Sequence, residues 1–490
     1  MWEYIKESPF QTFMIVHFVT VFIISVVIIR NHTKRDPLRT MMWVIVLYFL
    51  PVAGLILYIF FGQNYRKTKI FNRKSLRDLK YIDRLSRQQI LMLRKSEIFD
   101  DYPEQAGFKN IMTLLLNNSK ALITEYNKID VYHTGNETFD EIKKALLMAE
   151  HHIHMQFYII EDDCIGNEIK DILIAKAKEG VEVRVLYDDV GSWDLGSKYT
   201  KSIKKAGGKI YPFMKVRLPF LSSKLNYRNH RKILVVDGKV GFMGGINVAD
   251  RYLDGGKFNY WADTHIKIEG EAVLSLQTVF IVDWYFVCKE ILMRKRYQYF
   301  PSPNIVGKTL VQIVASGPDS DWAGIMQAYF AIINSAKTHI YISTPYFTPN
   351  EGVLTAIKTA SLSGVDVRLL LPENSDSRLV YWSTLSYLSE LMEAGVKIYL
   401  YNKGFIHSKF ITADGCISAI GSANMDMRSF EHNFEITSII YDNNITKELE
   451  TSFQIDIQNN SKQVNPEKWE NREWYKPTIE GAARLLTPML

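Results

Sequence analysis

Hydrophobic positions divide the chain into two parts that follow different rules. Near the start they run together. Residues 13–29 are apolar apart from His17, Thr20 and Ser25, and residues 41–61 form a second run with Pro51 and Gly54 inside it. A helix over the second run is long enough to cross a hydrocarbon core of about 30 Å, and a proline or glycine is tolerable in such a helix. A cleavable signal peptide fits the first run poorly, because Glu3 and Glu7 spoil a basic leader and no A-x-A site follows. The pattern predicts two transmembrane helices in a membrane anchor over residues 1–65, then a basic juxtamembrane linker over 66–106.

From residue 107 the pattern shortens. Helical stretches at 140–150 and 172–179 alternate with apolar runs of strand length at 152–160 and 180–186. The same order returns at 326–337, 339–346, 356–363 and 364–370. GVEVRVL at 180–186 is answered by GVDVRLL at 364–370, and AGGKIYPF at 206–213 by AGVKIYLY at 394–401. Such alternation implies βαβ units and mixed, largely parallel sheets. A repeat of this length implies a duplicated domain, with one lobe over 107–300 and a second over 301–490.

The repeat carries its chemistry in HRKILVVDGKVGFMGGIN, from His230, and HSKFITADGCISAIGSAN, from His407. In the first, His230 and Lys232 are followed by Asp237, Gly244, Gly245 and Asn247. In the second, His407 and Lys409 are followed by Asp414, Gly421, Ser422 and Asn424, at identical offsets. One HxKxxxxD is a weak signal; two copies with the same tail are not an accident of composition. ILVV and FIT read as strand, where side chains two apart share a face, so each histidine should point with its lysine. Asp237–Gly238 and Asp414–Gly415 favour two-residue hairpin turns. Turn chemistry is the stronger reading of these aspartates, although both stay in the candidate catalytic set as motif members.

Duplicated His-Lys-Asp motifs resemble those of the phospholipase D superfamily. Within it the chain is similar, over essentially its full length, to bacterial cardiolipin synthases. The paired N-terminal apolar runs, NYRNHRKILVVDGKVGFMGGIN, WADTHIKIEGEAV with FIVDWYF, and GFIHSKF with GSANMDMRSFEHNFE carry the resemblance. It implies an α/β fold of two duplicated phospholipase D-like lobes, with mixed β-sheets flanked by helices and related by a pseudo-twofold, preceded by two transmembrane helices. It implies one shared cleft and transfer of a phosphatidyl group from one phosphatidylglycerol to the glycerol hydroxyl of another, giving cardiolipin and glycerol. Downstream acids orient the histidines in the resembled family, which assigns Asp263 to His230 and Glu435 to His407. Family precedent also favours the first-motif histidine as nucleophile, a choice the sequence alone does not make.

A neutral histidine attacking a phosphodiester gives a phosphohistidine and splits a hard displacement in two. The second histidine, protonated, can donate to the leaving alcohol and later take a proton from the incoming one. Lys232 and Lys409 can offset charge on the non-bridging oxygens, and Asn247 and Asn424 can hydrogen-bond the same atoms. Gly245 and Ser422 are small enough to let backbone approach the phosphate. No metal or cofactor is expected. Cys164, Cys288 and Cys416 stand far apart, and His151, His152 and His154 lack a carboxylate or cysteine at ligand spacing. NIVGKTL has Ser302 where the first glycine of a phosphate loop should be.

The net charge of +6 is unevenly placed. Residues 1–80 hold 12 Lys/Arg against 4 Asp/Glu, so the remainder balances at −2. Arg66, Lys67, Lys69, Arg73, Lys74, Arg77 and Lys80 put the side after the second run in the cytoplasm and could attract anionic lipid head groups. The expectation is a multi-pass cell-membrane protein with a cytoplasmic body. Its partners would be phosphatidylglycerol, cardiolipin and an anionic membrane surface, and no nucleic acid. Residues 214–229 mix basic and apolar side chains as a membrane-dipping rim would, or as an ordinary loop would. The terminal EGAARLLTPML either packs on the body or touches the membrane. A phospholipase D releasing phosphatidate shares every motif. A membrane-tethered nuclease should carry a basic body, which this chain lacks.

Overall fold

The computed structural model describes residues 9–30, 37–58, 76–216, 226–303 and 305–486. It comprises a small N-terminal unit and a larger unit that contains both copies of the repeat. In the small unit, α1 (Pro9–Arg30) fulfils the first expectation. Its stretch Phe10–Arg30 is, among the described residues, the one helix long and apolar enough to cross a bilayer. The second run does not form one continuous helix among the described residues. It breaks into α2 (Pro37–Phe49) and α3 (Ala53–Leu57). Pro51 has no amide hydrogen and disfavours helical backbone at Leu50, and Val52 sits at φ 62°. Gly54 N–H then bonds back to the Leu50 carbonyl at 2.7 Å. A Cβ on Gly54 would lie 2.4 Å from the Val46 carbonyl oxygen, so the turn closes this tightly only on glycine. Residues 59–61 and most of the basic stretch lie outside the described residues.

In the larger unit, β1 (Ile123–Thr124) is followed by β2 (Asn127–Tyr132), β3 (His152–Phe157), β4 (Glu182–Asp188), β5 (Lys209–Phe213), β6 (Ile233–Val236), β7 (Val240–Gly244), β8 (Trp261–Ala262) and β9 (His265–Gly270). Seven of these form a sheet in the order β2-β9-β7-β6-β3-β4-β5. The second copy supplies β10 (Leu310–Ser316), β11 (His339–Ser343), β12 (Phe347–Thr348), β13 (Asp366–Pro372), β14 (Lys397–Tyr401), β15 (Phe405–Ile406), β16 (Phe410–Ala413), β17 (Ile417–Gly421), β18 (Met425–Asp426), β19 (Glu435–Tyr441) and β20 (Ser461–Gln463). Its sheet runs β1-β10-β19-β17-β16-β11-β13-β14-β20. Without the edge strands β1 and β20, the two orders are the same. Duplication is therefore visible in topology as well as in sequence. The sheets are mixed but not largely parallel. Within these two sheets, among the described residues, only β3-β4-β5 and β11-β13-β14 run parallel, because each motif folds as an antiparallel hairpin, β6–β7 or β16–β17.

Apolar residues on both faces of the motif strands have separate destinations. Leu234 and Val236 enter the first lobe's own core, while Ile233 and Val235 enter a core shared with Ile420, Ile436 and Ile440 of the second lobe. Helices α6 (Ala272–Cys288) and α7 (Asn443–Asn459) add Val273, Leu276, Phe453 and Ile457 to that shared core. With period-2 alternation, one strand serves two interiors. The lobes are joined by buried apolar surface, not only by a linker.

The expected boundaries at 66–106 and 107 also shift. Helices α4 (Leu76–Arg94) and α5 (Lys109–Asn118) place Leu93, Met112, Leu115 and Leu116 in the second lobe's core. Strand β1 pairs with β10, and Gln89 holds both backbone groups of Ile123. The first lobe begins at Asn127, where β2 starts. At the other end, α8 (Tyr475–Leu486) packs on the body. Ala483 is buried, Arg484 pairs with Glu390 at 2.7 Å, and Arg472 with Glu480 at 2.6 Å.

Candidate active site

Short cross-lobe ladders put the two motifs side by side. The segment ahead of β6 runs parallel to the segment ahead of β19: Asn229 bridges Phe434, and His230 N–H donates to the Phe434 carbonyl at 2.9 Å. The second copy repeats the device. Strand β15 pairs in parallel with β8, and His407 N–H donates to the Ala262 carbonyl at 2.7 Å. Each histidine is thus delivered beside the residue that follows the other lobe's ladder strand. That residue is an acid in both cases.

The carboxylate pairing is therefore crossed, which overturns the assignment within lobes. His230 Nδ1 bonds Glu435 at 3.0 Å, and His407 Nδ1 bonds Asp263 at 2.6 Å. Glu435 also accepts from the Ser422 hydroxyl and from Asn433 at 3.2 Å. Asp263 accepts from Thr264 N–H at 2.8 Å. The small residues beside the asparagines serve these acids. A Cβ on Gly245 would fall 2.0 Å from Asp263 Oδ1, whereas Ser422 holds Glu435. Each ring has its Nδ1 engaged by a carboxylate.

Lys232 and Lys409 point with their histidines, as expected from the spacing. Lys232 Nζ donates to the His230 carbonyl at 2.7 Å, and Lys409 Nζ donates to the His407 carbonyl. Both lysines are buried. Burial pushes Lys232 down to about 7 and Lys409 to about 8, against the pull of the Glu435 and Asp263 carboxylates. Burial also lowers His230, opposed by Glu435, and holds His407 well below the usual range, with Lys409 and Lys232 reinforcing it. Asp263 is pushed up to about 6 by burial, against Lys409. Burial alone would raise Glu435 too, but His230, Lys232 and Ser422 together leave it lowered.

The two motif aspartates do not reach the site. Asp237 and Asp414 sit at φ 54° and 55° in the hairpin turns, with Gly238 and Gly415 at 66° and 64°. Lys239 N–H and Cys416 N–H close these turns. Val236 then pairs with Val240, and Ala413 with Ile417, so three residues rather than two separate the strands. The Asp237 carboxylate accepts from the amides of Glu150, His151 and His152 at 2.8–2.9 Å. Asp414 accepts from Lys337, Thr338 and His339 at 2.8–3.0 Å. Both lie at the end of the strand remote from the histidine, where they anchor the hairpin to the start of β3 or β11. This corrects their place in the catalytic set.

Asn247 and Asn424 are buried next to the site with partners of their own. Asn247 accepts from Ile159 N–H at 3.1 Å and donates to Tyr252 Oη at 2.7 Å. Asn424 donates to Asp426 at 3.1 Å. Sequence reasoning missed the aromatic walls. The Tyr158 ring lies 4.8 Å from His230, while Trp261, Phe405 and Tyr252 lie 5.6–6.1 Å from His407. It also missed Arg231, which donates to Asp283, to the Glu435 carbonyl at 3.1 Å and to the Ser316 carbonyl at 3.2 Å. The alternation that aligned His230 with Lys232 already sent Arg231 to the opposite face. Nothing in one sequence marked its partners. Residues 217–225, the middle of the basic and apolar rim segment, lie outside the described residues.

With this geometry in place, known proteins are informative. A family model described as "Cardiolipin synthase, PLD-like domain" matches residues 142–284 and 329–457, one segment in each lobe. The chain belongs to this family. Cardiolipin synthases are found among its relatives over nearly the full length. The cardiolipin synthase of Halalkalibacterium halodurans is 43% identical across 99% of this chain and 96% of its own. Cardiolipin synthase 2 of Bacillus anthracis is 42% identical across 96% and 90%. A second model, "Phospholipase_D-nuclease N-terminal", matches residues 19–63. The crystal structure of a phosphatidylserine synthase from Haemophilus influenzae covers 78% of this chain and 99% of its own, at 16% identity and a TM-score of 0.57. That likeness speaks to the shared fold of the cardiolipin synthase family's catalytic body.

Proposed function

We propose that this protein is a cardiolipin synthase, a phosphatidyltransferase that joins two phosphatidylglycerol molecules and releases glycerol. One observation carries the chemical reading. Two imidazoles are each held through Nδ1 by a carboxylate from the opposite lobe, and a buried lysine two residues on donates to each histidine's carbonyl. Neutral His230 Nε2 attacks phosphorus, the bond to the glycerol oxygen breaks, and that oxygen takes the proton of His407. A second phosphatidylglycerol then enters, its terminal hydroxyl gives a proton to His407, its oxygen bonds phosphorus, and the N–P bond breaks to restore His230. Lys232 and Lys409 face the charge on the non-bridging oxygens, with Asn247 and Asn424 beside them. The phosphodiester anion itself raises the proton affinity of His407, whose proton is otherwise disfavoured by burial.

The family model over residues 19–63 and the apolar helix α1 support a membrane location. Both apolar segments would enter the bilayer, with the basic stretch and the body on the cytoplasmic side. Cys164 is exposed, so an impermeant thiol reagent should label it in inverted vesicles and leave it unlabelled in intact cells. For the reaction, purified protein in mixed micelles with labelled phosphatidylglycerol should yield cardiolipin and glycerol in equal moles. Phosphatidate alone would establish the hydrolase instead. Cutting of single-stranded DNA would favour the nuclease, to which a body charge of −2 gives little support.

A further inference from the structure

We propose that Asp376, held by Tyr346, forms the subsite for the glycerol head group beside His407, its carboxylate accepting a hydrogen bond from the hydroxyl next to the reacting one. This rests on the phosphatidyl-transfer reading above and goes past it, because the motif residues are common to transferases and hydrolases and do not choose the acceptor.

The placement comes from the fold. Asp376 lies on the loop that leaves the C-terminal end of β13, inside the parallel trio β11-β13-β14. In sheets of this kind ligands collect at that end. Tyr346 follows β11 and immediately precedes β12, which pairs with β18 directly after Asn424. The Tyr346 hydroxyl donates to the Asp376 carboxylate at 2.7 and 2.8 Å. Its ring packs against the first-lobe cluster that contains Tyr252 and Trp261, the two residues that flank His407. Asp376 adds negative potential at both His407 and Lys409.

Unlike the other acids of the site, Asp376 is exposed. Among the described residues it forms no ion pair. Besides Tyr346, its oxygens meet only a long contact from Ser375 Oγ at 3.5 Å. A carboxylate has about four lone-pair positions, so capacity remains for a ligand hydroxyl. Strand pairing aligns Glu182 with Asp366, and the same count past each strand that leads to Asp376 leads in the first lobe to Ser192. That residue is buried, donates to the Tyr158 carbonyl at 3.1 Å and accepts from Ile160 N–H at 3.0 Å. Ser192 is thus spent on its own loop, whereas the second-lobe loop presents an open carboxylate on the side where His407 handles the alcohol proton. Glycerol can occupy that carboxylate with its middle hydroxyl through a charge-assisted bond. Water has no second hydroxyl to offer.

The test uses full-length protein in mixed micelles, with phosphatidylglycerol as donor and equal concentrations of labelled glycerol and 1,3-propanediol as competing acceptors. The native protein should favour glycerol, which differs only by the middle hydroxyl. Asp376→Asn should erode that preference by about tenfold, with the change falling on acceptor KM more than on kcat. Tyr346→Phe should erode it less, in the same direction. An unchanged product ratio in Asp376→Asn, or no preference in the native protein, overturns the subsite. A native protein that prefers glycerol but makes no cardiolipin keeps the subsite and overturns transfer between lipids.

Discussion

The two halves of the active site share a backbone plan and differ in what surrounds the ring. Around His230 stand Tyr158, the longer acid Glu435 and a serine hydroxyl that steadies it. Around His407 stand three aromatic residues and the shorter acid Asp263, which fits only because residue 245 is glycine. Burial and neighbouring lysines disfavour the proton on His407 more strongly than on His230. The repeat supplies two equivalent motifs, and the walls around the two imidazoles have diverged.

The comparison is broken most severely by removing either ring. His230→Ala and His407→Ala should each lower turnover by at least about 10³-fold. A phosphoryl adduct trapped on residue 230, with none on 407, would fix the division of labour, and the reverse would exchange the roles. Next come the acids. Asp263→Asn and Glu435→Gln should each cost about 10²–10⁴-fold in turnover. The crossed pairing makes a sharper demand: Asp263→Asn should move the ¹⁵N resonances of His407 and leave those of His230 in place. Movement of His230 instead would restore pairing within lobes.

Smaller effects separate anchoring from chemistry. Asp237→Ala removes an acceptor from three amides and should lower unfolding free energy by roughly 2–3 kcal/mol, while KM changes little in the surviving folded protein. Loss of turnover without loss of stability would return Asp237 to the catalytic set. The mildest test is pH. Burial pushes His152 down to about 4 and His265 to about 3, so both stay neutral in the folded first lobe. Their contribution is complete above about pH 6.5 and is lost as pH falls toward those values, about 2 kcal/mol each by pH 5. Asp263, raised to about 6, works in the opposite direction between pH 6 and 4 but is outnumbered. In the second lobe the residue matching His152 is His339, half-buried and paired with Glu450 at 3.0 Å. Acid should therefore quicken amide exchange on β3 and β9 before β11 and β19. Simultaneous loss of protection would show that the shared core melts as one.

Much of this was legible before any fold was known. Hairpins, strand faces and duplication follow from spacing of two and from Asp-Gly turns, which are local rules. What failed was long-range. Residues 76–106 looked like linker and 107–124 like the start of the first lobe, yet Leu93, Met112 and Leu115 fill the second lobe. The second apolar run looked continuous because hydropathy does not register what Pro51 and Val52 do to the backbone.

Sequence alone determined that His230 with Lys232 and His407 with Lys409 form two equivalent pairs, since period-2 alternation and identical offsets leave them no other arrangement. Tertiary structure alone decided which acid holds which ring. That choice depends on the parallel contacts of Asn229 with Phe434 and of β15 with β8, which bring together residues 205 and 144 positions apart. No local pattern encodes them, because they exist only once the two sheets have packed on a common core.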